Sequence, residues 1–373
     1  MSQLFSPLTL RDLTLRNRTV VAPMCQYSAQ HGFANDWHFV HLGRFGMGGF
    51  GLVILEATAV LAEGRISYAD LGLWEDAQIA PLSHIVSFLK SQGAAAGIQL
   101  GHAGRKASTP VGWRNGFDET AEEKRDYAFE AWTPVAPSAI IHSERHPGFT
   151  LPREMTLDDI RATIDAFAAA ARRADAAGFD VVEIHGAHGY LVNQFLSPLA
   201  NKRTDAYGGS RENRMRFGLE VTAAVRAAWP AHKPLFIRIS GTDGVEGGWT
   251  IEDSEVFARE VKALGVDVVH VSSGGFDGYG IKPGPLYQVG LSKAVRETGI
   301  RTVAVGLIND PHDAERIVAD GEADLVAFAR GALEDPNWPI HAHHILDGAA
   351  YELWPRQARA RIRDKDRVLG IRQ

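Results

Sequence analysis

Six consecutive residues near the middle of the chain could do carbonyl or acid–base chemistry: His185-Gly186-Ala187-His188-Gly189-Tyr190. Two imidazoles spaced this closely can each donate a hydrogen bond to one oxygen atom, stabilising negative charge as it forms there. A phenol of ordinary pKa, about 10, holds a transferable proton at neutral pH. Neutral imidazole is also a common metal ligand. A metal-dependent site, however, would want carboxylates or a second histidine pair at neighbouring strand ends. The third reading is two structural histidines in a Gly-rich turn.

These residues need an element to position them. The run before them, Val181-Val182-Glu183-Ile184, is the β-branched pattern of a buried strand. Similar runs fall at 19–22, 52–56, 96–100, 235–239, 268–272, 302–306 and 325–329, which makes eight with 181–185. Segments of helical period separate them. Ile160, Ile164, Phe167, Ala168 and Ala171 share one face behind a capping signal at Thr156 and Asp159. Asp310-Pro311 reads as cap and first residue of another helix. Eight buried strands alternating with helices predict a closed (β/α)8 barrel, an α/β fold. The competitor, a doubly wound sheet, would want a Gly-x-Gly-x-x-Gly turn after its first strand. That strand ends in Pro23-Met24-Cys25 instead. Leu8-Thr9-Leu10 and Leu13-Thr14-Leu15 predict a hairpin closing the barrel bottom. Residues 101–151, with Trp113, Trp132 and several prolines, form a long insertion after the third strand and a candidate lid. With no linker in sight, residues 1–373 read as one domain, with a tail at 350–373.

The polar residues gather at strand ends, the catalytic face of a barrel. Cys25 and Tyr27 follow the first strand, Glu56-Ala57 the second, and Gln99, His102, Arg105 and Lys106 the third. Arg238 interrupts an apolar strand, so it must be paired or face a polar ligand. Gln99 is a similar oddity. An arginine and an amide in a barrel mouth suit a planar, hydrogen-bonding, electron-accepting ring, or are satisfied core polar groups. Gly306 and Arg330-Gly331 occupy the usual phosphate position of such barrels. The alternative is a tight turn with a surface ion pair. A phosphate site would imply a phosphorylated substrate, FMN or pyridoxal phosphate.

The 373 residues are 45% apolar and 23% charged, with net charge −6, which argues against nucleic-acid binding. No apolar run is long enough to span a membrane. No signal peptide precedes the first strand, so a cytoplasmic location is expected. The single cysteine, Cys25, excludes internal disulfides and Cys-ligated iron–sulfur clusters.

The motifs in their order resemble the Old Yellow Enzyme family of flavin-dependent ene-reductases, in its YqjM-like or thermophilic-type subgroup. The likeness rests on Pro23-Met24-Cys25-Gln26-Tyr27, Glu56-Ala57-Thr58-Ala59-Val60, Gly64-Arg65, Gln99-Leu100-Gly101-His102-Ala103-Gly104-Arg105-Lys106 and His185 to Leu191. Phe195-Leu196-Ser197-Pro198, Asn201-Lys202-Arg203-Thr204-Asp205, Tyr207-Gly208-Gly209-Ser210, Glu212-Asn213-Arg214 and Arg330-Gly331 extend it. The resemblance implies a barrel with one non-covalent FMN. Ala22, Pro23, Met24, Cys25, Ala57 and Gln99 would line the ring, and Arg238 its N1/C2 end. Gly306, Ala329 and Arg330 would hold the phosphate. His185 and His188 would bind a substrate carbonyl, Tyr190 would deliver a proton, and Tyr27 and Lys106 would line the substrate pocket. Cys25 would tune the flavin potential. NADPH or NADH would reduce the flavin and leave. An enone or related activated alkene would then take the hydride from N5. The resemblance also implies a homodimer or homotetramer.

The chain departs from that pattern in places. Ala329 stands where relatives often have glycine. The tail lacks the Gln-Tyr-x-Arg element whose arginine enters a neighbouring subunit. Arg359 or Arg361 would substitute, or the tail is a solvated basic helix. Two rival functions remain open from the residues. One is a Schiff-base barrel, for which Lys106 is the only lysine near a strand end. The other is an FMN-binding barrel in electron transfer, with no alkene reduction.

Overall fold

The computed structural model describes residues 2–111, 131–144, 148–348 and 351–371. Twelve strands are formed among them. β1 (Leu8–Leu10) and β2 (Leu13–Leu15) make an antiparallel hairpin. β3 (Thr19–Val21), β4 (Leu52–Ala59) and β5 (Ala95–Gly101) open the barrel. β6 (Val135–Ala136) and β7 (Arg153–Glu154) pair apart from it. β8 (Val181–Gly186), β9 (Leu235–Ser240), β10 (Val268–Ser272), β11 (Arg301–Ala304) and β12 (Leu325–Phe328) complete it. The closed order is β10-β11-β12-β3-β4-β5-β8-β9, so the eight expected strands form the expected (β/α)8 barrel. All its ladders are parallel. Both faces of each strand are covered, which is why the runs are apolar throughout rather than alternating.

Two apolar layers hold the barrel. The outer one packs the strands against the helices and includes Phe45, Phe167, Phe217, Phe257 and Trp249, all nearly or fully buried. The inner one plugs the bottom of the barrel. It brings Val20, Leu52, Val181, Phe236, Val268, Val303 and Leu325 together with Leu10 and Leu15 of the hairpin. The hairpin therefore closes the bottom as its sequence predicted. Above the plug the interior changes character: Gln99, Glu183, Arg238 and His270 are all buried there.

The helix Leu157–Ala176 starts at Thr156, whose hydroxyl and the Asp159 carboxylate cap each other's backbone N–H. Its buried face is Ile160, Thr163, Phe167, Ala170, Ala171 and Ala174. That is rotated from the expected face, with Ile164 and Ala168 at its margin. Thr163 can be buried because its Oγ1 donates to Asp159 O at 2.8 Å, satisfying the hydroxyl within the helix. Asp310 caps the helix Pro311–Ala319 as expected.

Of the 101–151 insertion, Trp113 lies outside the described residues. Trp132 donates its indole N–H to Glu63 O at 2.8 Å, tying the insertion to the loop after β4. Arg203 donates to Pro137 O at 3.1 Å and Met155 O at 2.6 Å, fastening both sides of the β6–β7 pair. In the tail, the helix Arg356–Leu369 is formed. Arg359 donates to Glu352 O and Trp354 O of its own chain, and the Arg361 side chain is 89% exposed. No described helix is long and apolar enough to cross a membrane.

Leu15 belongs to the plug and is 1% exposed. Leu15→Ala should lower unfolding stability by about 2–5 kcal/mol, measured by urea denaturation. An unchanged midpoint would mean that the hairpin is not part of the folding core.

Candidate active site

β8 delivers His185 at the barrel mouth, and the turn after it delivers His188 and Tyr190. The turn is tight. His188 has φ +59° and Gly189 φ +70°. Its backbone is tied on several sides. His188 N–H donates to Ser240 Oγ at 2.9 Å, and Ser240 Oγ donates to Gly274 O at 2.7 Å. Gly189 N–H donates to Asn193 Oδ1 at 2.7 Å, and Gly189 O accepts from Gln194 Nε2 at 2.7 Å. The loop after β10 presses on it so closely that a Cβ on Gly275 would sit 2.1 Å from the His188 carbonyl carbon. The rings are thereby brought together. The His185 centroid is 5.3 Å from that of His188 and 4.8 Å from that of Tyr190, both edge to face.

The protonation of this cluster follows from burial. Burial, then Arg238, pushes both imidazoles well below the ordinary histidine range, so both are neutral at pH 7. Ala187 N–H donates to His185 Nδ1 at 3.2 Å, which fixes the ring hydrogen on Nε2. His185 thus keeps one N–H donor for a ligand. His188 Nε2 lies 2.8 Å from Ser272 Oγ. Burial pushes the Tyr190 phenol well above its usual value, so it holds its proton. Lys106 lies 4.7 Å over the Tyr190 ring and donates to His188 O at 2.9 Å. Burial lowers its pKa to about 8. Among the described residues no three His, Cys, Asp or Glu side chains are grouped to hold a metal ion.

The segment after β3 faces this cluster. Glu56 Oε2 accepts from Gln26 N–H at 2.8 Å, while Glu56 Oε1 is 3.3 Å from His38 Nε2. This anchor holds Tyr27 at φ +50°, a left-handed backbone that costs a bulky residue of order 1–3 kcal/mol. The Tyr27 hydroxyl and Ala57 N–H reach the Cys25 sulfur, but burial dominates and pushes the thiol well up, so it stays neutral. Burial raises the Tyr27 phenol too.

Below the mouth lies a polar layer. Gln99 Nε2 donates to Glu183 Oε1 at 2.8 Å, and His270 Nδ1 is 2.9 Å from Glu183 Oε2. Strand register puts Arg238 between His185 on one side and His270 on the other. Arg238 is 7% exposed and has no hydrogen bond to any described residue; its Nε is buried without an acceptor. A desolvated guanidinium in this state calls for an oxygen-bearing ligand. A cavity of about 250 Å³ supplies the room, lined by Arg238, His188, Gly306, Asn309, Ala329 and Arg330. Gly306 has φ +138°, and a Cβ there would approach Gln288 to 3.2 Å. Arg330 and Gly331 open a short helix, so their N–H groups lack intrahelical acceptors. One end of this cavity fits a carbonyl-rich ring and the other an anion, as FMN would require.

The expected residues are therefore largely assembled. Arg238, Gly306, Ala329 and Arg330 share one cavity, and Ala57, His185 and Tyr190 line a small one beside it. Cys25 and Tyr27 lie within electrostatic reach of Tyr190. Lys106 is directed at a backbone carbonyl and the Tyr190 ring. Sequence reasoning passed over Glu183, His270 and Gln288. Glu183 stands two residues before His185, hence on the same strand face, and His270 interrupts Val268-Val269-His270-Val271. Either charge or imidazole in an apolar strand was a signal.

The model of the NADH:flavin oxidoreductase / NADH oxidase family matches residues 3–348. An NADPH dehydrogenase of Geobacillus sp. (strain WCH70) is 46% identical over 344 residues, covering 91% of this chain and 94% of that protein. One from Geobacillus thermodenitrificans (strain NG80-2) is 46% identical over 342 residues, covering 91% and 93%. Morphinone reductase superposes with a TM-score of 0.75 at 29% identity, covering 92% of this chain and 89% of that one. A 2-naphthoyl-CoA reductase complex gives a TM-score of 0.81 at 27% identity; the match covers 94% of this chain and 53% of that longer one.

The unpaired Arg238 generates a two-sided expectation. Arg238→Met should weaken FMN binding by about tenfold to hundredfold, from loss of a charge-assisted hydrogen bond of about 1.5–3 kcal/mol. The flavin-free variant should unfold at the same temperature as the parent protein or higher, because a buried guanidinium with no hydrogen bond to a described residue is gone. Flavin fluorescence titration and thermal unfolding read the two arms. A large fall in the midpoint would show that Arg238 has a structural partner.

Proposed function

The chain belongs to the NADH:flavin oxidoreductase / NADH oxidase family, and on that premise we propose that this FMN-dependent NAD(P)H oxidoreductase reduces the C=C bond of α,β-unsaturated carbonyl compounds. The observation that supports this reading is the cluster of His185, His188 and Tyr190, neutral imidazoles beside a protonated phenol, at the mouth of the Arg238 cavity. FMN, when bound, supplies the two-electron carrier between nicotinamide and alkene. The rest is the work of the chain's own side chains.

His185 presents Nε2–H to a carbonyl oxygen placed between the two rings, and a ligand oxygen that takes the place of Ser272 Oγ would also meet the Nε2–H of His188. Donors fixed before the reaction stabilise charge developing on that oxygen without reorganising. Polarisation of the carbonyl makes the β-carbon electron-poor. The α-carbon then needs a proton, and the Tyr190 hydroxyl holds one at every working pH. The resulting phenolate lies under the Lys106 ammonium, whose charge favours proton release. Tyr27 and Cys25, both neutral, complete the wall without adding charge.

An anaerobic spectrum tests the reading. The FMN band should bleach with NADPH and return on adding 2-cyclohexenone. Bleaching without return would favour the electron-transfer alternative; a protein that cannot be loaded with FMN would remove the flavin reading. Tyr190→Phe should lower the rate of enone-driven reoxidation by about 10²-fold or more and leave bleaching by NADPH intact. In Lys106, the charge is present below pH about 8 and lost above it. The kcat/KM for enone reduction should fall as pH rises through that value. Lys106→Met should abolish that limb and cost about tenfold at pH 7, within the range for a desolvated cation–π contact. A parent profile that stays level across pH 8 would separate Lys106 from the proton-delivery step.

A further inference from the structure

The polar layer beneath the mouth contains a carboxylate that the proposed reaction leaves unused. Glu183 is fully buried inside the barrel. Its oxygens have separate N–H neighbours, Gln99 Nε2 at 2.8 Å and His270 Nδ1 at 2.9 Å. Both neighbours can donate, which suits an ionised, acceptor-only carboxylate. The other polar groups facing this layer are Arg238 from β9 and His185 from β8; β11 presents Val303 opposite His270. Arg238 makes no hydrogen bond to a described residue, and Glu183 is the largest opposing charge that it feels.

We propose that Glu183 is a positioning residue for the cofactor, acting in two ways through Gln99 and Arg238. By taking up Gln99 Nε2 it turns the other end of that amide, Oε1, into the group left for a ligand. Gln99 Oε1 has no hydrogen bond from a described residue, so the site offers an acceptor from Gln99 beside donors from Arg238. That pairing recognises a ring edge on which an N–H adjoins a carbonyl, as in an imide. Second, its negative charge offsets Arg238 in a medium where charges are poorly screened. Reduced flavin is the more anionic form, so Arg238 favours it and Glu183 opposes that preference. Glu183 thus holds the midpoint potential lower than Arg238 alone would set it. His270 Nδ1 supplies a donor to the second oxygen.

This inference rests on the FMN reading, and the test separates the two. The full-length, FMN-loaded protein and its Glu183→Gln variant are compared by anaerobic redox titration at pH 7. The variant is nearly isosteric. His270 Nε2 is buried without a partner, so its proton can move from Nδ1 to Nε2 and leave Nδ1 to accept from the new amide. Removal of the charge should raise the preference for reduced over oxidised FMN at least tenfold, a shift of about +30 mV for a two-electron couple. The oxygen of the new amide still accepts from Gln99 Nε2, so binding of oxidised FMN should be kept; Glu183→Met, which offers Gln99 no acceptor, should weaken it. An unchanged potential in a folded, FMN-loaded variant would overturn the proposal and leave Glu183 as a brace. Should Glu183→Gln not fold, Glu183→Met gives the same readout. With the charge gone the potential should rise in the same direction; no shift in it overturns the proposal. Failure of the parent protein to load FMN would instead remove the flavin reading.

Discussion

A guanidinium buried in a β-strand with no hydrogen bond to any described residue is an unstable arrangement, and much of this molecule is arranged around it. Arg238 is held at the level of His185 and His270 by strand register, which no loop movement can alter. The apolar plug beneath prevents it from reaching the bottom of the barrel, and the strands on either side prevent it from reaching solvent. Only the mouth is open to it. The fold therefore presents one positive charge at the end of a cavity whose other end is built of glycine and helix-opening N–H groups. A ligand that answers both ends must be polar at each and flat or slender between.

Strain is concentrated where that ligand would sit. Tyr27, His188 and Leu307 are among the non-glycine residues with positive φ, and each lies in a segment that follows a barrel strand. Each is held by contacts from outside its own segment or by the strand end itself. Glu56 holds the backbone of Gln26, beside Tyr27, and Ser240 holds that of His188. The outer apolar layer, with its many fully buried aromatics, supplies the stability against which these local costs are set. The turn from His185 to Tyr190 is thus precise because two neighbouring strands fix it from below and the β10 loop presses on it from the side.

The barrel was legible in the sequence because its strands are buried on both faces and so stand out as unbroken β-branched runs. The candidate site was legible for a related reason. Polar residues at the ends of such runs have nowhere to go but the mouth. Residues inside the runs were harder. Arg238 was noticed, since a guanidinium cannot be neutral in an apolar strand, but its countercharge was not. Glu183 and His270 are separated by 87 residues, and only barrel closure brings them to 2.9 Å. The buried face of the helix Leu157–Ala176 was legible in part: Ile160, Phe167 and Ala171 lie on it as expected, while Thr163 reads as polar until its hydroxyl is seen bonded to the preceding turn.

The charge pattern of the site has a chemical consequence. Burial drives the two imidazoles, the two phenols and the thiol toward their uncharged forms, and it raises Asp70 nearby to a pKa of about 7. The cations include Arg238 below the mouth, Lys106 above the Tyr190 ring and Arg330 in the cavity lining. A site so composed changes little by itself when electrons arrive or a proton leaves. The change in charge falls on the ligand and on the few groups placed to answer it. Under the proposed reaction Arg238 would answer charge on a bound ring, and Lys106 charge on Tyr190. The neutral histidines would polarise a carbonyl without protonating it, leaving proton delivery to a separate group, at a separate carbon.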